Sequence, residues 1–354
     1  MRGTNTARAE MVAMMRKNAG KYMLVFAAAL LMPASLHVST AFSRGEAPLP
    51  PDIERFYDAG HYRQAAEALE ITLKQNPEDA SLNYWLGRSL FEIPDFSKAI
   101  SGFERAVKIE PQNSDYHDWL GRACGRKADE NSHSNMPAAL PLARRAHHEF
   151  EVAVQLDARN IKAQRDLIAF IANAPDALGG GEDRALDQIR ALSAVDVTEG
   201  MLAVADLRAV QKKFDQADAE YQKILALAPD RVDVYFEIAD YYRDRADSAA
   251  MEQAVESADR IAPSDRRLSY YRGVALVLAA REPVSAEENL RAYISKVPEN
   301  SELPSHASAY EWLGKLYEIE NKPELAAEQY QAALALDPRN KASREALKKL
   351  QKRK

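Results

Sequence analysis

Apolar residues recur at intervals of three and four positions through almost every window after residue 52, and no run alternates apolar with polar residues. Such intervals place the apolar side chains on one face of an α-helix. The pattern therefore predicts an all-α fold. Residues 44–51 contain three prolines and predict an extended linker, because proline disfavours helix at the preceding residue. The first helix is expected to begin near Asp52, acting as its N-cap.

The predicted helices repeat with a fixed period. Pro77 and Pro111 are 34 residues apart, as are Pro229 and Pro263, and each of these prolines follows an amphipathic helical pattern. A period of this length is typical of helical-hairpin repeats. Counting equivalent positions predicts eight hairpins, which close at residues 77, 111, 158, 195, 229, 263, 298 and 338.

Several intervals between closing positions are longer than 34 residues, so the extra residues must be accommodated. We expect residues 131–141 to enlarge the turn of the third hairpin and residues 176–183 to enlarge that of the fourth. Residues 299–305 are expected to precede the first helix of the eighth hairpin. All three segments are rich in Gly, Pro, Ser or Asn, which favour turns.

Two segments, residues 83–113 and 311–340, carry a family resemblance. Each has Leu-Gly on its first helix, an aromatic residue near the turn, and an Ala, aromatic, Ala, Pro series on its second helix. In the first segment these residues are Leu86, Gly87, Phe96, Ala99, Phe103, Ala106 and Pro111. In the second they are Leu313, Gly314, Tyr317, Ala326, Tyr330, Ala333 and Pro338. The pattern resembles that of tetratricopeptide repeats.

The resemblance implies a right-handed α-solenoid of stacked antiparallel helix hairpins. Residues 52–340 would form the array of about eight hairpins. Residues 341–354 are polar and basic, and they are predicted to form a C-terminal capping helix, because a terminal repeat must present one face to water. The resemblance also implies that first helices line a concave groove where a partner binds.

The first 43 residues have the order of features found in secretory signals. Basic residues precede the apolar run 23–32, and small residues follow it. Ser39 and Ala41, or Ala41 and Ser43, satisfy the small-x-small rule for cleavage. We therefore predict a cleaved signal peptide over residues 1–43 and a periplasmic or secreted protein. The alternative is an uncleaved leader that anchors the protein in the inner membrane.

Composition narrows the classes of partner. The chain of 354 residues has a net charge of −6, which does not favour nucleic acid or, for the mature chain, a membrane surface. Cys124 is the only cysteine, so an intramolecular disulfide and a cysteine-based metal site are impossible. Packed helices must supply the stability.

By register with the resembled family, eight side chains are predicted to face the groove and bind a partner. Five are basic and three are aromatic: Arg88, Arg122, Arg126, Lys162, Arg165, Tyr84, Phe236 and Tyr270. The cations would grip carboxylates of an extended acidic segment, and the aromatic rings would anchor a peptide. The alternatives are solvated charges, such as an Asp118–Arg122 pair, and aromatic packing between hairpins.

The same register predicts a polarised groove. Its start would be weakly basic, because it contains the five cations above. Its middle would be acidic, because the equivalent positions of the fifth and sixth hairpins are mostly carboxylates, at Glu199, Asp206, Asp233, Asp240 and Asp244. Binding of a charged partner would then depend on salt.

Other candidate chemistry is weak. Gly179, Gly180 and Gly181 lack the preceding strand and the following Lys-Ser or Lys-Thr of a phosphate-binding loop. His147 and Glu151 have a spacing that suits two metal ligands, but no third ligand is identifiable. Cys124 is expected to be a small core residue. No cofactor, metal or catalytic residue is predicted.

The sequence therefore favours a non-catalytic protein–protein interaction scaffold or adaptor in the bacterial cell envelope, which binds a partner segment in its concave groove. One alternative is a structural component that assembles with itself through its terminal repeats. Another is an enzyme with a site in the inserted loops. Repeats of this kind serve many processes, so they do not identify the partner.

Overall fold

A computed structural model describes residues 49–132 and 134–352. Within these residues the chain forms seventeen α-helices and one short 3₁₀-helix, and no strand occurs there. The all-α prediction is confirmed. The predicted signal peptide and most of the linker lie outside the described residues. The described residues divide into two compact units. The first comprises residues 49–57 and 61–220, and the second comprises residues 58–60 and 221–352.

The first ten helices begin in the first unit. They are α1 (Pro51–Asp58), α2 (Tyr62–Gln75), α3 (Ala80–Glu92), α4 (Phe96–Ile109), α5 (Ser114–Ser132), α6 (Met136–Leu156), α7 (Ile161–Asn173), α8 (Glu182–Val195), α9 (Val197–Val210) and α10 (Phe214–Leu227). The 3₁₀-helix, Asp176–Leu178, lies between α7 and α8.

The second unit contains the remaining helices. They are α11 (Val232–Arg245), α12 (Ser248–Ile261), α13 (Leu268–Leu278), α14 (Pro283–Lys296), α15 (His306–Ile319), α16 (Pro323–Leu336) and α17 (Lys341–Gln351).

Consecutive helices pack as hairpins, and within each unit several first helices also contact the first helix of the next hairpin. In the first unit these contacts join α3 to α5, α5 to α7, and α7 to α9. In the second unit they join α11 to α13, α13 to α15, and α15 to α17. This is the packing of a helical-hairpin solenoid. First helices are therefore covered on more sides than second helices.

The predicted period marks the ends of the second helices. Seven of them, α2, α4, α6, α10, α12, α14 and α16, end two residues before the predicted closing position. The exception is α8, which ends at Val195 itself. Only Asp196 separates α8 from α9, and its side chain accepts a hydrogen bond from the Glu199 N–H at 2.9 Å. This junction needs no proline because a single capping residue makes the turn.

Two local predictions differ from the structure. Helix α1 starts at Pro51, so Asp52 lies within its first turn instead of capping it; proline suits this position because the first helical N–H needs no partner. Most of residues 131–141 are helical and do not form a turn: residues 131–132 end α5, and residues 136–141 begin α6. The third hairpin therefore has long helices, of 19 and 21 residues.

Glycine allows the closest approach within hairpins. A Cβ on Gly87 of α3 would lie 2.7 Å from the Phe103 ring of α4, and one on Gly121 of α5 would lie 2.7 Å from the Phe150 ring of α6. In the second unit, a Cβ on Gly314 of α15 would lie 2.6 Å from the Tyr330 ring of α16. The small residue and the ring thus form one packing unit in each hairpin.

No helix among the described residues is both long enough and apolar enough to cross a membrane.

Candidate functional site

Arg88 and Trp119 form the centre of the predicted basic surface. Both lie on first helices, in equivalent WLGR motifs of α3 and α5. The Arg88 guanidinium carbon is 3.7 Å from the centroid of the Trp119 ring, and Arg88 Nη1 donates a hydrogen bond to Tyr84 Oη at 2.9 Å. Arg88 is only 7% exposed. It therefore fills the space between hairpins, and in this conformation it cannot grip a carboxylate of a partner.

Two further cations face the same Trp119 ring. The Arg122 guanidinium carbon is 4.9 Å from the ring centroid, and Lys162 Nζ of α7 is 4.1 Å from it. We call Arg88, Trp119, Arg122 and Lys162 the Trp119 cluster. Cations are attracted to the face of an indole ring, most strongly where water is excluded. The sequence predicts the three cations, but it does not predict that one ring brings them together.

Arg122 also joins two carboxylates. Its Nε lies 3.2 Å from Asp118 Oδ2, four residues earlier on α5, and it forms an ion pair with Asp166 of α7. Asp118 is fully buried. Burial, together with the charge of Asp166, raises the pKa of Asp118 well above its ordinary value, although Arg122 and Lys162 oppose this shift. The predicted Asp118–Arg122 pair exists, but it lies in the interior and extends to a second hairpin.

Arg165 forms a similar link between α7 and α9. Its Nη1 lies 3.0 Å from Glu199 Oε2, and its Nη2 lies 2.8 Å from Asp206 Oδ2. Arg126, on α5, lies against an aromatic ring, with its guanidinium carbon 5.4 Å from the centroid of Phe96. Of the predicted cations, Arg122, Arg126, Lys162 and Arg165 keep part of their side chains exposed.

The predicted aromatic anchors lie in the core. Tyr84, Phe236 and Tyr270 are each at most 2% exposed. Phe236 stacks on Tyr271, with ring centroids 4.6 Å apart, and Tyr270 Oη lies 2.7 Å from Ser308 Oγ. These rings pack between helices, which is the alternative to anchoring a peptide. They cannot contact a partner unless the hairpins separate.

The predicted basic and acidic parts of the groove meet at Arg165. Arg165 from the basic part binds Glu199 and Asp206 from the acidic part. In the second unit Arg267 Nη1 lies 2.7 Å from Asp233 Oδ1, and both side chains are buried. The first helices therefore carry a series of ion pairs between hairpins.

Sequence reasoning missed this pairing, although the sequence contains a signal for it. Arg165 and Glu199 are 34 residues apart, and so are Asp233 and Arg267. Opposite charges one period apart lie at corresponding places of successive hairpins, on or next to the first helices, where they can meet.

Asp240 of α11 is the strongest candidate for a titrating group in the second unit. It is 5% exposed, accepts a hydrogen bond from Tyr271 Oη at 3.0 Å, and forms an ion pair with Arg243. Burial raises the pKa of Asp240 to about 6, because the loss of hydration outweighs the stabilisation by Arg243 and Tyr271.

The glycine segment is structural. The N–H groups of Gly179, Gly180 and Gly181 donate to the carbonyls of Asp176, Pro175 and Ile171 at 3.0 to 3.2 Å. They are not available to bind phosphate. A Cβ on Gly180 would lie 1.7 Å from the Ala174 carbonyl oxygen, so only glycine fits this turn.

His147 and Glu151 do not form a metal centre with other described residues, since no group of three or more potential ligands converges in this part of the chain. The His147 ring stacks on Phe170, with centroids 5.0 Å apart. Burial lowers the pKa of His147 below its ordinary value. Cys124 is fully buried, and burial raises the pKa of its thiol to about 12, which suits the expected core role.

Comparisons with known proteins agree with this architecture. The fold and its internal period define an α-solenoid repeat protein. Residues 53–114 and 276–341 match the family model for the tetratricopeptide repeat. Both segments thus carry tetratricopeptide repeats, and proteins built from such repeats are generally interaction scaffolds and not enzymes. No curated protein matches the sequence.

Solved structures are similar in fold at low sequence identity. A monomeric mutant of IFIT1, solved with Gppp-AAAA, is 16% identical, with a TM-score of 0.51; the match covers 85% of this chain and 70% of that one. A tetratricopeptide repeat protein from Parabacteroides merdae is also 16% identical, with a TM-score of 0.46, and the match covers 80% and 99% of the two chains. Such likeness shows the fold alone.

Proposed function

We propose that the protein is a non-catalytic scaffold of the bacterial cell envelope that holds a protein partner on the faces of its first helices. One observation carries the proposal: helices with the spacing of hairpin repeats run through the described chain from Pro51 to Gln351. Stacked hairpins create an extended surface whose main use is to bind other macromolecules.

The partner is proposed to contact the partly exposed cations of α5 and α7. These are Arg122, Arg126, Lys162 and Arg165. Acidic side chains of a partner could add to the ion pairs that Arg122 and Arg165 already make, and charge-assisted hydrogen bonds of this kind give specificity. Arg88, Tyr84, Phe236 and Tyr270 would act indirectly, by holding the hairpins in place.

Affinity capture from an envelope extract tests this surface. The processed protein would be compared with Arg126→Glu/Lys162→Glu and with a matched control, Arg144→Glu/Arg190→Glu. The control changes the net charge equally, but its residues are exposed on the second helices α6 and α8. We expect a partner that the unmodified protein and the control retain, and that the first variant retains at least tenfold less. Equal retention by both variants would exclude the first-helix cations, provided circular dichroism shows both are folded.

Export is a separate part of the proposal. It rests on the order of basic, apolar and small residues in residues 1–43. The N-terminus of the protein from its native cell would be determined by mass spectrometry, together with its cell fraction. A periplasmic protein that starts at Phe42 or Arg44 is the expected result. An intact leader in the membrane fraction would show an anchor, and a cytosolic protein would refute export.

A further inference from the structure

Helix α17 has an apolar face and a basic face on opposite sides. Ser343 and Leu350 are buried, Ala346 and Leu347 are half-buried, and the apolar side packs against a cluster formed by Tyr317, Ala326 and Tyr330. At 3.6 residues per turn, the cations of the helix and the residue after it all fall on the other side. These cations, all exposed, are Lys341, Arg344, Lys348, Lys349 and Lys352.

The excess of positive charge is larger than a capping helix needs. Residues 339–352 contain six Lys and Arg residues and one acidic residue, Glu345, which makes +6 − 1 = +5, whereas the whole chain has a net charge of −6. A terminal helix needs a polar outer face for solubility, but acidic or mixed side chains would meet this need. In an acidic protein, a one-sided basic face instead indicates a negatively charged partner.

We propose that the basic face of α17 binds the surface of a bilayer that contains anionic lipids. The size of the face favours lipid over protein. A helix of 11 residues is about 16 Å long and about 10 Å wide, so its outer face covers much less than the roughly 800 Å² per partner of a stable protein interface. A bilayer needs no shape complementarity, because exposed charges act on its surface potential.

The composition of the face supports the same partner. Four of its five cations are lysines, whose compact ammonium groups act as point charges, whereas the planar guanidinium of arginine suits paired recognition of one carboxylate or phosphate. Each Lys or Arg held near an anionic bilayer strengthens binding about fivefold. The whole-chain charge did not favour a membrane surface, but α17 concentrates positive charge on one exposed face. The proposal does not depend on the first-helix surface.

Vesicle sedimentation tests the proposal. The processed protein would be mixed with vesicles of phosphatidylcholine alone or with about one quarter phosphatidylglycerol, at low ionic strength, where charge attraction is least screened. The test variant is Lys348→Glu/Lys349→Glu/Lys352→Glu. The control, Arg55→Glu/Lys74→Glu/Arg190→Glu, makes the same change in net charge at exposed positions elsewhere. Circular dichroism would confirm that the variants are folded.

We expect the unmodified protein and the control to bind the anionic vesicles, and the test variant to bind them at least tenfold more weakly. About 1 M salt should abolish the binding, since the Debye length is then about 3 Å. Binding by a retained leader would persist in the test variant, because the leader lies outside α17. Equal binding of both triple variants would overturn the proposal. So would capture of polyglutamate or DNA, but not of anionic vesicles, by the α17 face.

Discussion

Arg88 is a buried cation that is held by aromatic rings. Its guanidinium lies over Trp119, and its Nη1 donates a hydrogen bond to Tyr84 Oη. A carboxylate at position 88 would lie against the face of the Trp119 ring, which carries partial negative charge, and it would have no hydration. The positive charge at this position therefore contributes to the folding of the first unit.

We expect Arg88→Glu to lower the free energy of unfolding by about 3 to 5 kcal/mol, as for an uncompensated buried charge. Urea unfolding followed by circular dichroism would measure this loss. Arg144→Glu, at an exposed position of α6, should change the stability by less than about 0.5 kcal/mol. A loss below about 1 kcal/mol for Arg88→Glu would show that this side chain is not part of the core.

Asp240 should make stability depend on pH. Because burial raises its pKa to about 6 in the folded protein, against about 3.9 when unfolded, the folded state binds the proton more tightly. The stability contributed by the protonated form is present below about pH 4 and is lost as the pH rises through 6. The loss is about 3 kcal/mol for a shift of about two pH units.

Asp240→Asn removes this titration and keeps an acceptor for the Tyr271 hydroxyl. We expect the variant to gain stability relative to the unmodified protein as the pH rises from 4 to 7. Unfolding curves of both proteins at a series of pH values would show the difference. Parallel pH profiles for the two proteins would contradict the assignment.

At the scale of elements, most helix boundaries could be predicted from the sequence. Proline and N-cap residues act locally, so the ends of the second helices lie two residues before seven of the eight predicted positions. The extension of α5 and α6 could not be predicted in this way. Residues 131–141 include turn-forming types, but their conformation depends on whether the lengthened helices can pack against each other along their full length.

Gly87→Ala tests the close packing within a hairpin. Alanine favours helix by about 1 kcal/mol relative to glycine, but its Cβ would lie 2.7 Å from the Phe103 ring. Overpacking typically costs about 1 to 3 kcal/mol, so we expect a net loss of stability. In Gly87→Ala/Phe103→Leu the smaller side chain relieves the contact, and the double variant should be more stable than the sum of the single effects. Additive effects would argue against this contact.

Arg165→Met tests the ion pairs between hairpins. Arg165 joins α7 to α9 through two carboxylates that are at most 12% exposed, so its removal should cost about 2 kcal/mol. A cycle with Asp206→Asn should show a coupling energy of about 1 kcal/mol. Arg190→Met, which breaks an exposed pair with Asp187, should cost less than about 0.5 kcal/mol. Equal losses for Arg165 and Arg190 would refute the structural role.

At the scale of the whole molecule, the repeat class was predictable, but the environment of the candidate site was not. Register correctly placed Arg88, Arg122 and Lys162 on first helices. Their convergence on Trp119 depends on how closely successive hairpins approach, which results from many contacts between residues far apart in sequence. The sequence predicts Phe236 and Tyr270 as anchors for a partner, but close packing of the hairpins makes them core residues.

Photo-crosslinking in the native cell tests the central claim, that first helices form the partner-binding surface. A photoreactive amino acid would replace Arg126 on α5 or Lys162 on α7, and in controls Arg144 on α6 or Arg190 on α8. We predict crosslinks to one shared protein from positions 126 and 162, and none to that protein from positions 144 and 190. Crosslinks to the partner from the second-helix positions alone would contradict the claim.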